Sequence, residues 1–406
     1  MPAGADDALV VVGASLAGLR AVEAARRKGF TGPITLVGAE GHLPYDRPPL
    51  SKAYLDEKEQ ATSEPFRTEE HLRTELGVEL LLGRPATRLR HADRVLEVGD
   101  TEVRFGALII ATGGTAISLP GTEGLEGIHC LRTLDDAVAV REALDTRARV
   151  VVVGAGFIGS EVASAARKRG LPVTVVEALD VPLVRSVGPE AGRVCAELHA
   201  ANGTDLRCGS GVQRVEGTAG RVSSVHLGDG TVLEADLVVV GIGVRPATEW
   251  LQDSGIELHG RDGGIVCDDL LRTSLDDVFA AGDVVHWPNP VFDGRLMRLE
   301  HWTNAAEHGA AAATAAVAPD TAKAVGTVPY FWSDWYDHRI QFVGIPSEPD
   351  EVRVVAQEPY LALYRQGDRV VGALTIDRPT QIMKYRRMIS QRKLWSEALE
   401  FAGAAS

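Results

Sequence analysis

Three closely spaced glycines and a later glutamate are the residues whose types and spacing most directly indicate chemistry. Gly154, Gly156 and Gly159 come directly after the apolar run Val150–Val153, and Glu177 ends a second apolar run. In a strand–turn–helix unit such glycines permit the tight turn, the approach of backbone to a pyrophosphate, and close packing of helix on strand. The acid then accepts a hydrogen bond from a ribose hydroxyl. The stretch predicts a dinucleotide site; the alternative is a glycine-rich turn without a ligand.

The start of the chain repeats this pattern almost part for part. Gly13 and Gly18 follow the apolar run Leu9–Val12, and Glu40 takes the acid position after the next run. Ser15 stands where the pattern has its second glycine, and serine is small enough for backbone to approach a ligand. Two copies in one chain indicate an enzyme that binds two nucleotides, because a solenoid would need more repeats. The alternative for this copy is a plain strand–helix–strand unit.

Three more apolar runs end in glycine turns that could bring backbone close to a cofactor. They are FGALIIATGG, which contains Ala111, Thr112 and Gly113; ADLVVVGIGVRP, which contains Gly243; and VFAAGD, which ends at Asp283. A carboxylate at the last position can accept hydrogen bonds from a polyol or a ribose. Capping of its own turn is the alternative role for Asp283.

Composition and charge exclude several classes of protein. The chain has 406 residues and a formal net charge of −14, which argues against a nucleic-acid-binding protein. No window approaches the ~18 apolar residues of a membrane span, and the N-terminus lacks the basic start of a secretion signal. We therefore expect a soluble cytoplasmic protein of two or three domains. The cysteines form no CxxC pair, and the histidines show no metal-ligand spacing, so no metal site is predicted.

The loop PYDRPPLSK carries two cations on a stiff backbone. Its prolines would present Arg47 and Lys52 from a preset conformation. Arg47 suits a phosphate, and Lys52 could act as a point charge near a ring that becomes anionic on reduction. Both could instead be ordinary solvated cations, and spacing alone favours that interpretation.

Taken in order, these motifs resemble one family. They are GASLAG, PYDRPPLSKAYL, ATGG, LRTLDDA, GAGFIGSEVA, GIGVRP, AAGD and VPYFWSDWYD. The chain resembles the FAD-dependent, NADH-linked ferredoxin reductases that serve oxygenase systems, over essentially its whole length. The resemblance implies an α/β, glutathione-reductase-like fold with two Rossmann-type dinucleotide-binding domains and an α+β C-terminal domain.

The same resemblance implies domain boundaries and cofactor contacts. A split FAD domain would cover residues 1–114 and 247–326, an NAD domain residues 115–246, and a C-terminal interface domain residues 327–406. The residues along FAD would be Gly13, Ser15, Ala17, Gly18, Glu40, Arg47, Lys52, Ala86, Ala111, Thr112, Gly113, Arg132, Asp283 and Trp302. Those along NADH would be Gly154, Gly156, Gly159, Glu161, Glu177 and Gly243.

The implied reaction passes hydride from NADH to FAD and then single electrons to a [2Fe–2S] ferredoxin. That ferredoxin would supply a cytochrome P450 or a Rieske-type oxygenase. Lys52 would favour the anionic reduced flavin, and Glu161 would hold Lys52 in place or meet the nicotinamide. Because Glu177 repels a 2′-phosphate and Ala178-Leu179-Asp180 supplies no cation, NADH should be preferred over NADPH. Disulfide reductases of this architecture need cysteines near His42–Lys52, where this chain has none.

The C-terminal part offers two candidate features for the electron acceptor. By resemblance, Trp332 lies near the flavin edge that faces the acceptor; the alternative is a core aromatic cluster. A basic stretch, opposed only by Asp377, could steer an acidic ferredoxin, although it could also be a solvated helix face. It consists of Arg378, Lys384, Arg386, Arg387, Arg392 and Lys393.

Two other functions remain open from the sequence. One is reduction of rubredoxin, or a monodehydroascorbate-type reductase activity. The other is a flavoprotein whose redox state controls binding, like apoptosis-inducing factor. The acidity of the chain speaks against the second, since it offers no overall basic surface for DNA.

Overall fold

The chain folds into two compact units, each assembled from separate stretches of sequence. The computed structural model describes residues 7–56, 63–146, 148–346 and 349–403. The first unit combines Met1–Asp46, Glu64–Thr115 and Arg245–Pro329. The second combines Arg47–Ser63, Ala116–Val244 and Tyr330–Ser406. No helix in the described ranges is long and apolar enough to cross a membrane.

Seven α-helices of the described residues recur below. They are α1 (Leu16–Arg27), α2 (Leu134–Asp145), α3 (Phe157–Lys168), α4 (Val184–Ala201), α5 (Trp302–Val317), α6 (Pro379–Ser390) and α7 (Trp395–Phe401). The segment assigned as α4 is kinked, because Gly188 has φ +80° and Pro189 follows it. Helices α1 and α3 each carry basic residues in the last turn, and a glycine with positive φ follows each helix.

The first unit is built on a five-stranded parallel sheet. Its strands are, in spatial order, Val278–Ala280, Ala107–Ile110, Leu9–Val12, Ile34–Val37 and Val78–Leu81. Both faces are covered, so the strands are continuous apolar runs. Two smaller sheets complete the unit: the antiparallel strands Ala86–Arg90, Val95–Val98 and Thr101–Arg104, and a mixed set of Ile265–Val266, Val285–Asn289 and Arg295–Met297.

The second unit contains a similar parallel sheet. Its order is Asp205–Cys208, Val173–Glu177, Val150–Val153, Leu237–Val240 and Ile128–Cys130. Three antiparallel strands, Val212–Thr218, Arg221–Leu227 and Val232–Glu234, form a separate sheet. In both parallel sheets the strand before the glycine turn is central, which is the Rossmann-type arrangement.

The C-terminal part of the second unit is a five-stranded antiparallel sheet followed by α6 and α7. The strands are ordered Tyr330–Trp335, His338–Gly344, Arg369–Ile376, Leu361–Gln366 and Glu351–Ala356. Short strands at Gly114–Ala116 and Val244–Pro246 stand where the chain passes between units. The predicted fold class is confirmed. The predicted NAD and C-terminal domains fall in one unit, and the boundaries between three domains stay a prediction.

Candidate functional site

The first glycine turn joins strand Leu9–Val12 to α1 in the first unit. Gly13 has φ +116°, and a Cβ on it would lie 2.0 Å from the carbonyl oxygen of Ala111. A Cβ on Gly18 would lie 1.9 Å from the carbonyl oxygen of Gly13. Neither position has room for a side chain. The start of α1 is therefore held against the carboxyl edge of the sheet, where a phosphate group can bind the exposed N–H groups.

The two non-glycine residues of this turn have different surroundings. Ser15 is the N-cap of α1, and its side chain makes no capping hydrogen bond in the described structure. The N–H groups of the first helical turn thus keep their capacity for a ligand. Ala17 is 6 % exposed. A Cβ on Gly309 of α5 would lie 2.1 Å from the carbonyl oxygen of Ala17. Ala17 therefore lies where α5 packs on α1.

Local partners orient two more of the predicted FAD contacts. The Tyr45 hydroxyl donates to Glu40 Oε2 at 2.5 Å. The indole Nε1 of Trp302, the first residue of α5, donates to Asp46 Oδ1 at 2.8 Å. A carboxylate has capacity for several hydrogen bonds, so Glu40 can still accept from a ribose hydroxyl.

The ATGG turn is hydrogen-bonded to the last of the three stretches of sequence that form the first unit. Thr112 Oγ1 donates to the carbonyl oxygen of Ala247 at 2.9 Å, and the Ala247 N–H donates to the carbonyl oxygen of Gly113 at 3.0 Å. The Ala111 N–H donates to the carbonyl oxygen of Val12. The turn that carries three predicted contacts is therefore fixed to the strand before the first glycine turn.

Asp283 lies in a short helical turn, Gly282–Val284, directly after strand Val278–Ala280. Arg298 Nη1 donates to its carbonyl oxygen at 3.0 Å. Because parallel strands end at the same edge of their sheet, Asp283 shares that edge with the first glycine turn and Glu40. Ala86 does not belong to this parallel sheet. It is the first residue of strand Ala86–Arg90 in the antiparallel sheet of the same unit.

The first unit fits a bound dinucleotide. It offers a turn into which no Cβ fits, a helix N-terminus without a side-chain cap, and acids after two strands of one sheet. Glu40 and Asp283 could hold sugar hydroxyls, and the N–H groups at the start of α1 could hold the pyrophosphate of FAD.

The second glycine turn, in the second unit, has the same backbone design. Gly154 has φ +100°, and a Cβ on it would lie 2.4 Å from the carbonyl oxygen of Gly241. A Cβ on Gly159 would lie 2.0 Å from the carbonyl oxygen of Gly154. Apart from its chain neighbours and its own helix, the nearest described atom to a Cβ on Gly156 is the Gly241 carbonyl oxygen, at 3.7 Å. The backbone at Gly156 is therefore open enough for a pyrophosphate to approach, and binding there stays a prediction.

Glu177 is held at the mouth of this second turn by two backbone donors. The Ala155 N–H donates to its Oε2, and the Leu179 N–H donates to its Oε1, both at 2.9 Å. Burial, with the nearby negative charges of Glu177 and Asp180, raises the pKa of the Cys208 thiol to about 11. Both carboxylates thus give the acid position a negative potential. Gly243, with φ +122°, follows a neighbouring strand of the same sheet.

From Arg47 onward the proline loop belongs to the second unit, where it packs on α2. Prolines begin the short helical turn Pro48–Ser51, as their fixed φ angle favours. Arg47 Nη1 donates to the carbonyl oxygen of Arg132 at 2.7 Å. The LRTLDDA motif around Arg132 is a capping box at the start of α2, in which the N–H groups of Arg132 and Thr133 donate to Asp136. The structure thus brings the predicted FAD contacts Arg47 and Arg132 together.

Lys52 and Glu161 form a buried ion pair in the second unit. Lys52 Nζ lies 2.8 Å from Glu161 Oε1, and their side chains are 18 % and 2 % exposed. Ser51 donates to Glu161 Oε2, and Ser333 donates to Oε1 at 2.5 Å. Glu161 thus contacts Lys52 directly, as the first of its two predicted roles requires, and that role stays a prediction. Contact of Glu161 with the nicotinamide stays a prediction.

Trp332 lies on strand Tyr330–Trp335, whose side chains alternate between half-buried and buried. Trp332 is on the half-buried face with Tyr330, and the two rings stack with centroids 5.7 Å apart. The Arg386 guanidinium lies 6.0 Å from the centroid of the Tyr330 ring. The opposite face of the strand carries the core aromatics Phe331 and Trp335. A core aromatic cluster therefore describes that face, whereas the proposed acceptor surface concerns the face that carries Trp332.

The basic stretch lies on α6 and the segment that leads to α7. Lys384, Arg387 and Arg392 are exposed, and the Lys384 ammonium lies 5.3 Å from the Phe401 ring centroid. Lys393 pairs with Glu397 at 2.6 Å. The opposing acid, Asp377, accepts from the Arg339 N–H and lies 2.7 Å from His338 Nδ1. An exposed Met383, 46 % accessible, adds an apolar residue to this cationic helix face.

One cluster that the sequence did not indicate lies in the first unit. His259 Nδ1 and His286 Nε2 lie 3.2 and 2.9 Å from Asp262 Oδ1. The two imidazole rings are stacked, with planes 20° apart and centroids 4.0 Å apart, and the candidate ligand atoms of the three residues lie within 4.8 Å of one another. Arg298 Nε donates to Asp262 Oδ2 at 2.8 Å. This geometry is that of a hydrogen-bonded cluster, and the absence of a metal site stays a prediction.

Sequence reasoning missed the two serines around Glu161. Ser333 is buried, and its position between Trp332 and Asp334 in an alternating strand places it on the core face. A polar residue at a buried strand position requires a hydrogen-bonding partner. That alternation was the available signal for Ser333. No comparable local signal marks Ser51.

Comparison with known proteins extends these observations to the whole chain. Residues 7–309 match the model of the pyridine nucleotide-disulphide oxidoreductase family, and residues 330–401 match that of a reductase C-terminal domain. Rhodocoxin reductase of Rhodococcus erythropolis is 36 % identical over 388 residues, covering 94 % of this chain and 89 % of its own length. The ferredoxin–NAD(+) reductase subunit of the benzene 1,2-dioxygenase system of Pseudomonas putida is 33 % identical, covering 94 % and 92 %.

The chain is also similar to a solved reductase structure over almost its whole length. The covalent complex of putidaredoxin reductase with putidaredoxin contains a chain that is 32 % identical and superposes with a TM-score of 0.90, covering 96 % of this chain and 94 % of that one. Family members of this kind use FAD and a nicotinamide nucleotide. With a family match over most of its length and relatives above 30 % identity, the chain belongs to the pyridine nucleotide-disulphide oxidoreductase family and is an FAD-dependent oxidoreductase.

Proposed function

We propose that this chain is an NADH-dependent reductase of a [2Fe–2S] ferredoxin in the cytoplasm, and that the ferredoxin supplies a cytochrome P450 or a Rieske-type oxygenase. The observation that carries the proposal is the surface around Trp332. There, a stacked aromatic pair lies on the half-buried face of one strand, and Arg386 of the cationic helix α6 lies over it. Such a surface suits an acidic electron carrier, because cations steer it and aromatic rings form the contact.

The relatives support this choice of partner. One solved relative is a reductase joined covalently to putidaredoxin, and another relative is the reductase subunit of a dioxygenase system. Exposed cations on α6 would attract an acidic ferredoxin although the chain as a whole carries a net charge of −14.

When bound, FAD supplies the conversion of a two-electron hydride donor into single electrons, and the protein supplies binding, orientation and charge. The N–H groups at the starts of α1 and α3 would hold the two pyrophosphates. Glu177 would accept from a ribose hydroxyl of NADH, and Glu40 from that of FAD. Lys52, held by Glu161, would place a positive charge beside the flavin ring, and Arg47 would contact a phosphate.

The cysteines argue for direct transfer of electrons to the partner. All four are free thiols, and they are Cys130, Cys195, Cys208 and Cys267. Burial raises the pKa of Cys195 to about 12, and burial also raises the pKa of Cys130, so these thiols stay protonated at neutral pH. A protonated thiol is a poor nucleophile, and thiol–disulfide exchange needs the thiolate.

The proposed function predicts the outcome of an acceptor comparison. Protein reduced anaerobically with one equivalent of NADH should be reoxidised in a stopped-flow instrument by [2Fe–2S] ferredoxins. Rubredoxin and the monodehydroascorbate radical, as competing acceptors, should react at least about tenfold more slowly, a difference of about 1.4 kcal/mol in barrier. Equal or faster reaction with either competitor would contradict the proposed partner.

The basic stretch predicts a salt effect that is confined to the ferredoxin reaction. Replacing exposed Arg387 by Glu should slow ferredoxin reduction about tenfold at low salt, because steering by surface charge changes the association rate. The difference should shrink as salt rises, since the Debye length falls to about 8 Å at 0.15 M. Turnover of NADH with ferricyanide should not change. The control is Arg104→Glu, which makes the same charge change at an exposed position of strand Thr101–Arg104, outside the basic stretch. An equal effect of the two substitutions would contradict docking at the basic stretch.

A further inference from the structure

A buried chain of hydrogen bonds connects the C-terminal sheet to Lys52. Trp335 Nε1 donates to Ser333 Oγ at 2.8 Å, and Ser333 Oγ lies 2.5 Å from Glu161 Oε1. Lys52 Nζ lies 2.8 Å from the same carboxylate oxygen. Ser333 and Trp335 are fully buried, so water does not replace these partners.

The direction of every bond in this chain is fixed by chemistry. An indole nitrogen is a donor only, so the Trp335 N–H occupies one lone pair of the Ser333 oxygen. The Ser333 hydroxyl proton is then free to be donated to Glu161. Ser51 donates to the other oxygen, Oε2. Glu161 accepts from both hydroxyls and from an ammonium, which is the pattern of an ionised carboxylate.

The hydroxyls influence how much of the Lys52 charge is neutralised. Two donated hydrogen bonds draw negative charge of Glu161 toward the serines and keep the carboxylate at a fixed position. Without one of them, the carboxylate would interact more strongly with its remaining cationic partner. Electrostatic interactions of this kind are strong because Glu161 is 2 % exposed and poorly screened.

Strand geometry ties this chain to the proposed acceptor surface. Trp332 and Ser333 are consecutive residues of one strand, so their side chains lie on opposite faces. Ser333 faces α3, and farther along that helix Ser164 accepts from the Tyr336 N–H at 2.7 Å while Lys168 pairs with Asp337 at 2.6 Å. The position of Ser333 is thus set by the same strand that carries Trp332.

We propose that Ser333 is a positioning residue that adjusts the charge of the Lys52–Glu161 pair, and through it the midpoint potential of the bound flavin. The inference rests on the proposed role of Lys52 beside the flavin. Loss of the Ser333 hydroxyl would strengthen the hold of Glu161 on the ammonium and reduce the stabilisation of the anionic reduced ring. The flavin would become harder to reduce.

The test measures the midpoint potential of the holoenzyme by anaerobic titration with a redox dye, without NADH or ferredoxin. Ser333→Ala should shift the two-electron reduction equilibrium about tenfold toward oxidised flavin, which is about 30 mV. Ser51→Ala removes the other hydroxyl donor to Glu161 without disturbing Trp335, and it should shift the potential in the same direction. An unchanged potential in Ser333→Ala, with FAD bound, would overturn the proposal.

Two further variants keep the result interpretable. Trp335→Phe should give a smaller shift in the same direction, since Ser333 becomes a weaker donor when its oxygen no longer accepts. In the Ser333→Ala background this substitution should add no further shift of potential, whereas independent effects would add. Lys52→Met tests the underlying role separately. If it leaves the potential unchanged, the proposed role of Lys52 fails; if it lowers the potential while Ser333→Ala does not, only the inference about Ser333 fails.

Discussion

The kcat/KM for NADH is expected to exceed that for NADPH by about a hundredfold or more, and Glu177→Gln should remove most of this difference. A hydrogen bond to a charged group contributes about 1.5–3 kcal/mol, or about ten- to a hundredfold in kcat/KM. Glu177 would make such a bond with the ribose of NADH and would repel a 2′-phosphate. The substitution should therefore lower kcat/KM for NADH and raise it for NADPH.

The structure gives this prediction a firmer basis than the motif alone. Both oxygens of Glu177 accept backbone N–H groups, from Ala155 and Leu179, so the carboxylate cannot swing away from an incoming phosphate without losing two hydrogen bonds. Burial is the main cause of the raised pKa of the Cys208 thiol, and the negative charges of Glu177 and Asp180 contribute to it. A 2′-phosphate would meet the fixed Glu177 carboxylate there.

The measurement is steady-state reduction of ferricyanide with each nucleotide, which avoids the ferredoxin step. Glu216→Gln is the matched control, because Glu216 is an exposed glutamate on another sheet of the same unit. It should leave both kcat/KM values unchanged. Equal kcat/KM values for NADH and NADPH in the wild-type protein would refute the assignment of Glu177.

The elements around both nucleotide turns could be predicted because their signals are local. Strands Leu9–Val12 and Val150–Val153 coincide with the predicted apolar runs, and α1 and α3 end in basic turns that precede glycines with positive φ. In each case an apolar run, a glycine with positive φ or a basic last turn acts within a few residues. Such features depend on backbone sterics and burial, which short stretches of sequence encode directly.

Contacts between distant residues could not be predicted in this way. The sequence placed Lys52 and Glu161 in the site only through resemblance, and the serines that bind Glu161 were missed. Trp302 and its partner Asp46 are 256 residues apart in the chain. Side-chain partners of this kind depend on tertiary packing, whereas propensity and periodicity report only neighbours in sequence. Predicted cofactor contacts at strand ends are easier to place from sequence, because the carboxyl ends of parallel strands lie at the same edge of the sheet.

Lys52→Met and Glu161→Gln are expected to move the flavin potential in opposite directions. Lys52→Met removes the positive charge and leaves Glu161 as a buried anion, and both changes oppose the anionic reduced ring. Glu161→Gln removes the negative charge and leaves the Lys52 ammonium uncompensated, which favours that ring. Each shift should be at least about tenfold in the reduction equilibrium, or about 30 mV. If the Lys52–Glu161 pair had only a structural role, the two substitutions would not shift the flavin potential in opposite directions.

The stability of the two variants provides an independent check. Breaking a buried ion pair by removal of one partner costs about 3–5 kcal/mol, because an uncompensated charge stays buried. Lys52→Met should show a loss of this size in urea unfolding of the holoenzyme, since Glu161 is 2 % exposed. Glu161→Gln should lose less, because Lys52 is 18 % exposed and Gln can still bond to Ser51 and Ser333.

The two measurements together separate charge from packing. If Lys52 acts on the flavin through its charge, the potentials of the two variants diverge while both lose stability. If the pair only joins the proline loop to α3, both variants lose stability and keep the wild-type potential. Lys52→Arg sharpens the distinction, because it keeps the charge with a different shape and should retain most of the potential. A potential for Lys52→Arg as low as that of Lys52→Met would show that geometry, and not charge, is what the position requires.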